Sequence, residues 1–121
     1  MLRLARKTMP GLLVSTSGIG DGRLPDEVAR ASDFLLVHWN GVPLAAIPKR
    51  IATLKKFGKP IVCNEDAKVG RRGARAAEAA VAHGVSWGLM REDLNQKFPF
   101  TFRGPADDPV VYRTLKRLTT P

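Results

Sequence analysis

The chain has 121 residues, 44% of them hydrophobic and 26% charged, and a formal net charge of +9. That is chain enough for one domain with one modest core, and too apolar for a disordered protein. No apolar run approaches the ~20 residues that span a bilayer, and the lone Cys63 excludes an intrachain disulfide or a cysteine-based zinc cluster.

Residues 1–8 read as the end of a helix, closed by Met9-Pro10-Gly11. The basic residues at the start are not followed by a 7–15-residue apolar block, so no signal peptide is expected in this chain and the compartment stays open. Leu12-Leu13-Val14 reads as a buried strand. The polar, glycine-rich loop 15–22 follows. It matches neither a P-loop nor a full G-x-G-x-x-G, and reads as a mobile loop over a site or as a weak phosphate cradle. Pro25, Asp26 and Glu27 open a short helix, since proline suits the first position and acids the first turn.

Phe34-Leu35-Leu36-Val37 is the second expected strand, ending in His38-Trp39-Asn40-Gly41. Leu44, Ile47, Ile51 and Leu54 then recur at helical spacing, with Pro48 in the first turn and Gly58 as the stop. Ile61-Val62-Cys63 is the third strand, running into Asn64-Glu65-Asp66. Cys63 reads as a buried strand residue rather than a nucleophile, which needs a thiolate-stabilising setting. A loop is expected over 66–73 and an alanine-rich helix over 74–83, stopped by Gly84. Residues 85–90 form a fourth strand. A long loop with Phe98, Phe100 and Phe102 leads to a last helix begun by Asp108-Pro109.

The expected fold class is therefore α/β: four consecutive βα units with parallel strands, in a single domain over 1–121. Four such units are half of an eight-unit TIM barrel, so the chain reads as a half barrel and a piece of a larger one. The basic residues are scattered, and many fall near helix ends. They read as a solvated exterior, with nucleic acid as the competing partner.

Chemistry gathers at the strand ends, the place where parallel sheets and barrels present reactive groups. Together with Lys59-Pro60-Ile61-Val62, the ends His38-Trp39-Asn40, Asn64-Glu65-Asp66 and Ser86-Trp87-Gly88 resemble the C-terminal half of a clan A (β/α)8-barrel glycoside hydrolase of the family 5, cellulase-like kind. The resemblance implies that Glu65 is the nucleophile, Trp87 a sugar platform and His38 the polar residue of strand six. It also implies that a glutamate after asparagine, the acid/base, belongs to strand four, outside this chain. Because Asn64-Glu65 has the form of that pair too, the two glutamate roles remain interchangeable here. Asp66, Glu92 and Asp93 are local acidic candidates, although Asp66 should point away from Glu65 along a strand. Trp39 reads as a sugar contact or a cover for the barrel mouth, and Trp87 equally as core packing.

Three functions follow. The first is retaining O-glycosyl hydrolysis with Glu65 as catalytic residue, once a missing N-terminal half supplies the acid/base, or through self-association. The second is a silent carbohydrate-binding remnant using His38, Trp39, Asn40, Asn64, Asp66 and Trp87. A basic nucleic-acid-binding module comes third, because no aromatic–basic stripe accompanies the charge. No metal and no cofactor are expected; His38 and His83 do not have ligand spacing.

Overall fold

The computed structural model describes residues 1–120, apart from the side chain of Asn95. Three apolar runs become strands: β1 (Leu35–His38), β2 (Ile61–Asp66) and β3 (Ser86–Leu89). They form one parallel sheet in the order β1-β2-β3. Parallel neighbours need a crossover. Helix α3 (Ile47–Lys55) supplies it between β1 and β2, and α4 (Gly70–Ala82) between β2 and β3. Helices α1 (Leu2–Thr8) and α2 (Asp26–Ala31) precede the sheet, and α5 (Pro109–Thr119) follows it.

The class is α/β with parallel strands, but the described sheet has three strands rather than the expected four. Residues 12–14 are not a strand. Leu12 and Leu13 are 52% and 72% exposed, so the apolar triplet is not buried on both faces. The segment runs extended beside β1 and touches it through one parallel bridge, Ser17 to Leu36. Elsewhere side chains supplement a single backbone bond: Asp33 N–H donates to the Val14 carbonyl at 2.8 Å, Val14 N–H donates to Asp33 Oδ2 at 2.7 Å, and Ser15 Oγ donates to the Phe34 carbonyl at 2.6 Å.

Register sorts the side chains into two faces. Val37, Cys63 and Trp87 are neighbours across the sheet, as are Leu36, Val62 and Ser86. The first row, with Leu35 and Ile61, is buried against the helices. Ile47, Ile51 and Leu54 of α3 are buried there, as their spacing predicts, together with Ala76, Ala77 and Ala80 of α4. The second row is half-buried or exposed. Alternation along the strands thus gives the sheet one face under helices and one open face.

Helix α4 begins at Gly70, four residues ahead of the expected start, because its cap comes from far along the chain. Asp108 Oδ2 accepts the Gly70 N–H at 2.7 Å, while Oδ1 of the same carboxylate accepts the Val111 N–H at the start of α5. At the opposite side of the fold, the Lys59 ammonium donates to the carbonyls of Ala29, Arg30 and Ser32. A cation there satisfies the orphaned acceptors at the end of α2.

Asp33 ties the first third of the chain together, accepting from Arg6 at 2.6 Å and from Val14 N–H. These bonds, the Val14 amide first and then the guanidinium, hold its carboxyl below the ordinary value of 3.8. A depressed folded value contributes stability that is present above the ordinary value and lost as pH falls through the folded one. Asp33→Asn should therefore flatten the loss of stability below about pH 4, read as urea midpoint against pH. Parallel acid limbs for the two proteins would show that Asp33 does not contribute.

Candidate functional site

Register sets Glu65 opposite His38. His38 follows buried Val37 and so faces the open side. The His38 side chain is 16% exposed and that of Glu65 26%, with Nδ1 3.6 Å from Glu65 Oε1. That separation is too long for a hydrogen bond and short enough for an ion pair when the imidazole is protonated. Asn40 completes the group. Its Nδ2 donates to Glu65 Oε1 at 2.8 Å, and its Oδ1 accepts the Ala67 N–H at 2.9 Å. Backbone bonds fix the same turn: Trp39 N–H donates to the Glu65 carbonyl at 2.9 Å, and Gly41 N–H to the Gly20 carbonyl at 2.8 Å. The glycine-rich loop 15–22 therefore reaches the end of β1. Some of its own amides, those of Gly18 and Gly22, are spent on the carbonyls of Leu36 and Ile19.

Asp66 points away from that open group, as expected, and is completely buried; an irregularity in the pairing of β2 after Cys63 puts it, rather than Glu65, on the core face. Its Oδ1 accepts the Lys68 ammonium at 2.9 Å, and its Oδ2 accepts Trp87 Nε1 at 2.9 Å. Lys68 Nζ also donates to the Trp39 carbonyl at 2.6 Å. Asp66 and Lys68 together thus link the end of β2 to Trp87 of β3 and to Trp39, the residue after β1. Lys68 is a residue that sequence reasoning passed over as one more scattered base. Its only signal was position, two residues beyond a carboxylate at the end of an apolar strand.

The sugar-contact reading of both tryptophans is corrected, and for Trp87 the core-packing alternative is the one found. Trp87 is 7% exposed, lies in the row with Cys63 and Val37, and packs in the core. It is not beside Glu65, which faces the open side, and its ring is not free to floor a sugar. Trp39 is completely buried in the same core, with Nε1 unpartnered among the described residues. Neither indole is available as a sugar contact. Asn64 is exposed and takes no part in the His38–Asn40–Glu65 group. Burial pushes the Cys63 thiol up to about 12, so at neutral pH it stays protonated and unreactive.

Among the described residues, the local acidic candidates Asp66, Glu92 and Asp93 are engaged away from Glu65. Asp66 is committed to Lys68 and Trp87, Glu92 pairs with Lys97 at 2.7 Å, and Asp93 pairs with Arg91 at 2.6 Å. Among the described residues no group of histidines, cysteines and acids could hold a metal, and no helix is long and apolar enough to cross a membrane. Chemically, the site is one partly exposed carboxylate, held by an amide and faced by an imidazole. No family model, no curated protein and no solved structure matches the chain.

Proposed function

We propose that the chain is a fragment of a glycoside hydrolase-like barrel in which Glu65 is the nucleophile of retaining O-glycosyl hydrolysis, completed by a further part of the barrel that brings the acid/base. The observation that carries this reading is the Glu65 carboxylate at the carboxyl end of a parallel sheet, on its open face, with Asn40 Nδ2 at 2.8 Å. Retaining hydrolysis needs two carboxyl groups about 5–5.5 Å apart. The engagement of Asp66, Glu92 and Asp93 with Lys68 and Trp87, Lys97 and Arg91 supports a shared site rather than a self-sufficient one. The open face supports it as well: Leu36 and Val62 are only half-buried there, as the interior of a barrel is before it closes.

The test uses aryl glycosides with a dinitrophenolate leaving group, which departs without a proton donor and so does not need the absent acid. Wild type should release phenolate faster than Glu65→Gln by at least about 100-fold, since the covalent step has no substitute nucleophile. Equal rates would remove Glu65 from the mechanism. Glycan binding that survives Glu65→Gln, with no turnover in either protein, would instead favour a silent carbohydrate-binding remnant.

A further inference from the structure

Asn40 belongs by its place in the sequence to the sugar contacts, yet its amide already holds two partners within the protein, Glu65 and Ala67. We infer that Asn40 is the positioning residue for Glu65: it holds Oε1 and leaves Oε2 as the oxygen that forms the covalent bond. The inference rests on the glycosidase reading above and assigns a role within the same site.

The orientation of the amide is settled by its two partners. A backbone N–H only donates and a carboxylate only accepts. Oδ1 must therefore face Ala67, at 2.9 Å, and Nδ2 must face Glu65, at 2.8 Å. Residues on either side are clamped as well, Trp39 N–H to the Glu65 carbonyl and Gly41 N–H to the Gly20 carbonyl. To meet a sugar through the atoms that hold Glu65 and Ala67, the side chain would have to give up those hydrogen bonds, although the second N–H of the amide is not used by them. His38 Nδ1 approaches Oε1 too, at 3.6 Å. Both groups from the end of β1 thus gather on one oxygen, and among the described residues no hydrogen bond reaches the other.

In the covalent step a lone pair of Oε2 attacks the anomeric carbon. The bond from that carbon to the phenolic oxygen breaks, and its electron pair leaves with the phenolate. Water then attacks the same carbon, giving the free sugar and a proton and restoring the carboxylate. Holding Oε1 fixes the direction in which Oε2 meets the sugar, and a misplacement of about 1 Å in such a group costs on the order of 100-fold in rate.

Three variants in the full chain test the role, with dinitrophenyl glycoside as the probe. Asn40→Ala should slow first-turnover phenolate release by about 10- to 100-fold and leave the half-saturating concentration within about threefold, since positioning acts on the transition state alone. Asn40→Asp keeps an acceptor for Ala67 but loses the donor to Glu65, and should be as slow as Asn40→Ala. In the 15N–1H spectrum, the Asn40 side-chain amide should shift when Glu65→Ala removes its acceptor. The inference is overturned if Asn40→Ala raises the half-saturating concentration at an unchanged rate, if Asn40→Asp matches wild type, or if the amide signal ignores Glu65→Ala. Equal phenolate release from wild type and Glu65→Gln is a different failure. It fells the glycosidase reading and the positioning role with it, while an intact amide response shows that the Asn40–Glu65 bond itself persists.

Discussion

Lys68→Met should cost about 3–5 kcal/mol of folding stability, the range for stripping one partner from a buried ion pair. The Lys68 side chain is 5% exposed and that of Asp66 is 0% exposed. Removing the ammonium leaves the Asp66 carboxylate in the interior with Trp87 Nε1 and the Lys68 N–H as its remaining donors, and it takes the donor from the Trp39 carbonyl. Domains of this kind have about 5–15 kcal/mol in total, so the variant should sit near its folding threshold. The double variant Asp66→Asn/Lys68→Met removes both charges and keeps an acceptor for the indole, so it should recover much of the loss. Urea titration of the four proteins in this cycle measures the coupling. A Lys68→Met protein within 1 kcal/mol of wild type would mean that water reaches the pair and that the network is not what joins the strand ends.

Gly73→Val should destabilise the fold by about 1–3 kcal/mol, the cost of overpacking a close contact. A Cβ at Gly73 collides with the Lys68 carbonyl oxygen and lies 2.7 Å from Val111 Cγ2. The first obstacle is backbone and cannot swing aside; the second is a fully buried side chain of α5. Even Gly73→Ala should destabilise, although alanine is favoured over glycine inside a helix by about 1 kcal/mol. Arg75→Ala, two residues on at an exposed position of the same helix, is the control and should change stability by about 0.5 kcal/mol or less. If Gly73→Ala proves stabilising by thermal denaturation, α4 and α5 are not packed as closely as the contact implies.

How much of this was legible in the sequence differs from element to element. The stripe Leu44, Ile47, Ile51, Leu54 marked α3 because its period is helical and its terminators are local. Strands β1, β2 and β3 were visible as short apolar runs. The triplet Leu12-Leu13-Val14 carried the same signal and is no strand, because a run of apolar letters reports composition and not whether neighbours cover both faces. The start of α4 was hidden by Gly70 and Gly73, one admitting a positive φ of 55° and the other a close contact, and by a cap that arrives from Asp108. At the site, Glu65, His38 and Asn40 were legible as polar residues at strand ends, and the structure brings them together. That Trp87 belongs to the core row rather than beside Glu65 is a matter of register, which single strands do not disclose. Lys68 was concealed in a basic composition, where only its place two residues beyond Asp66 sets this buried ammonium apart.

The shared carboxylate of Asp108 has a consequence for how the molecule comes apart. Because its two oxygens anchor the first turns of α4 and α5 separately, neither helix can unravel from its amino end without loosening the other. The carboxyl-terminal third should behave as a single cooperative unit in hydrogen exchange, so opening of α5 by itself is not a separate low-energy excursion.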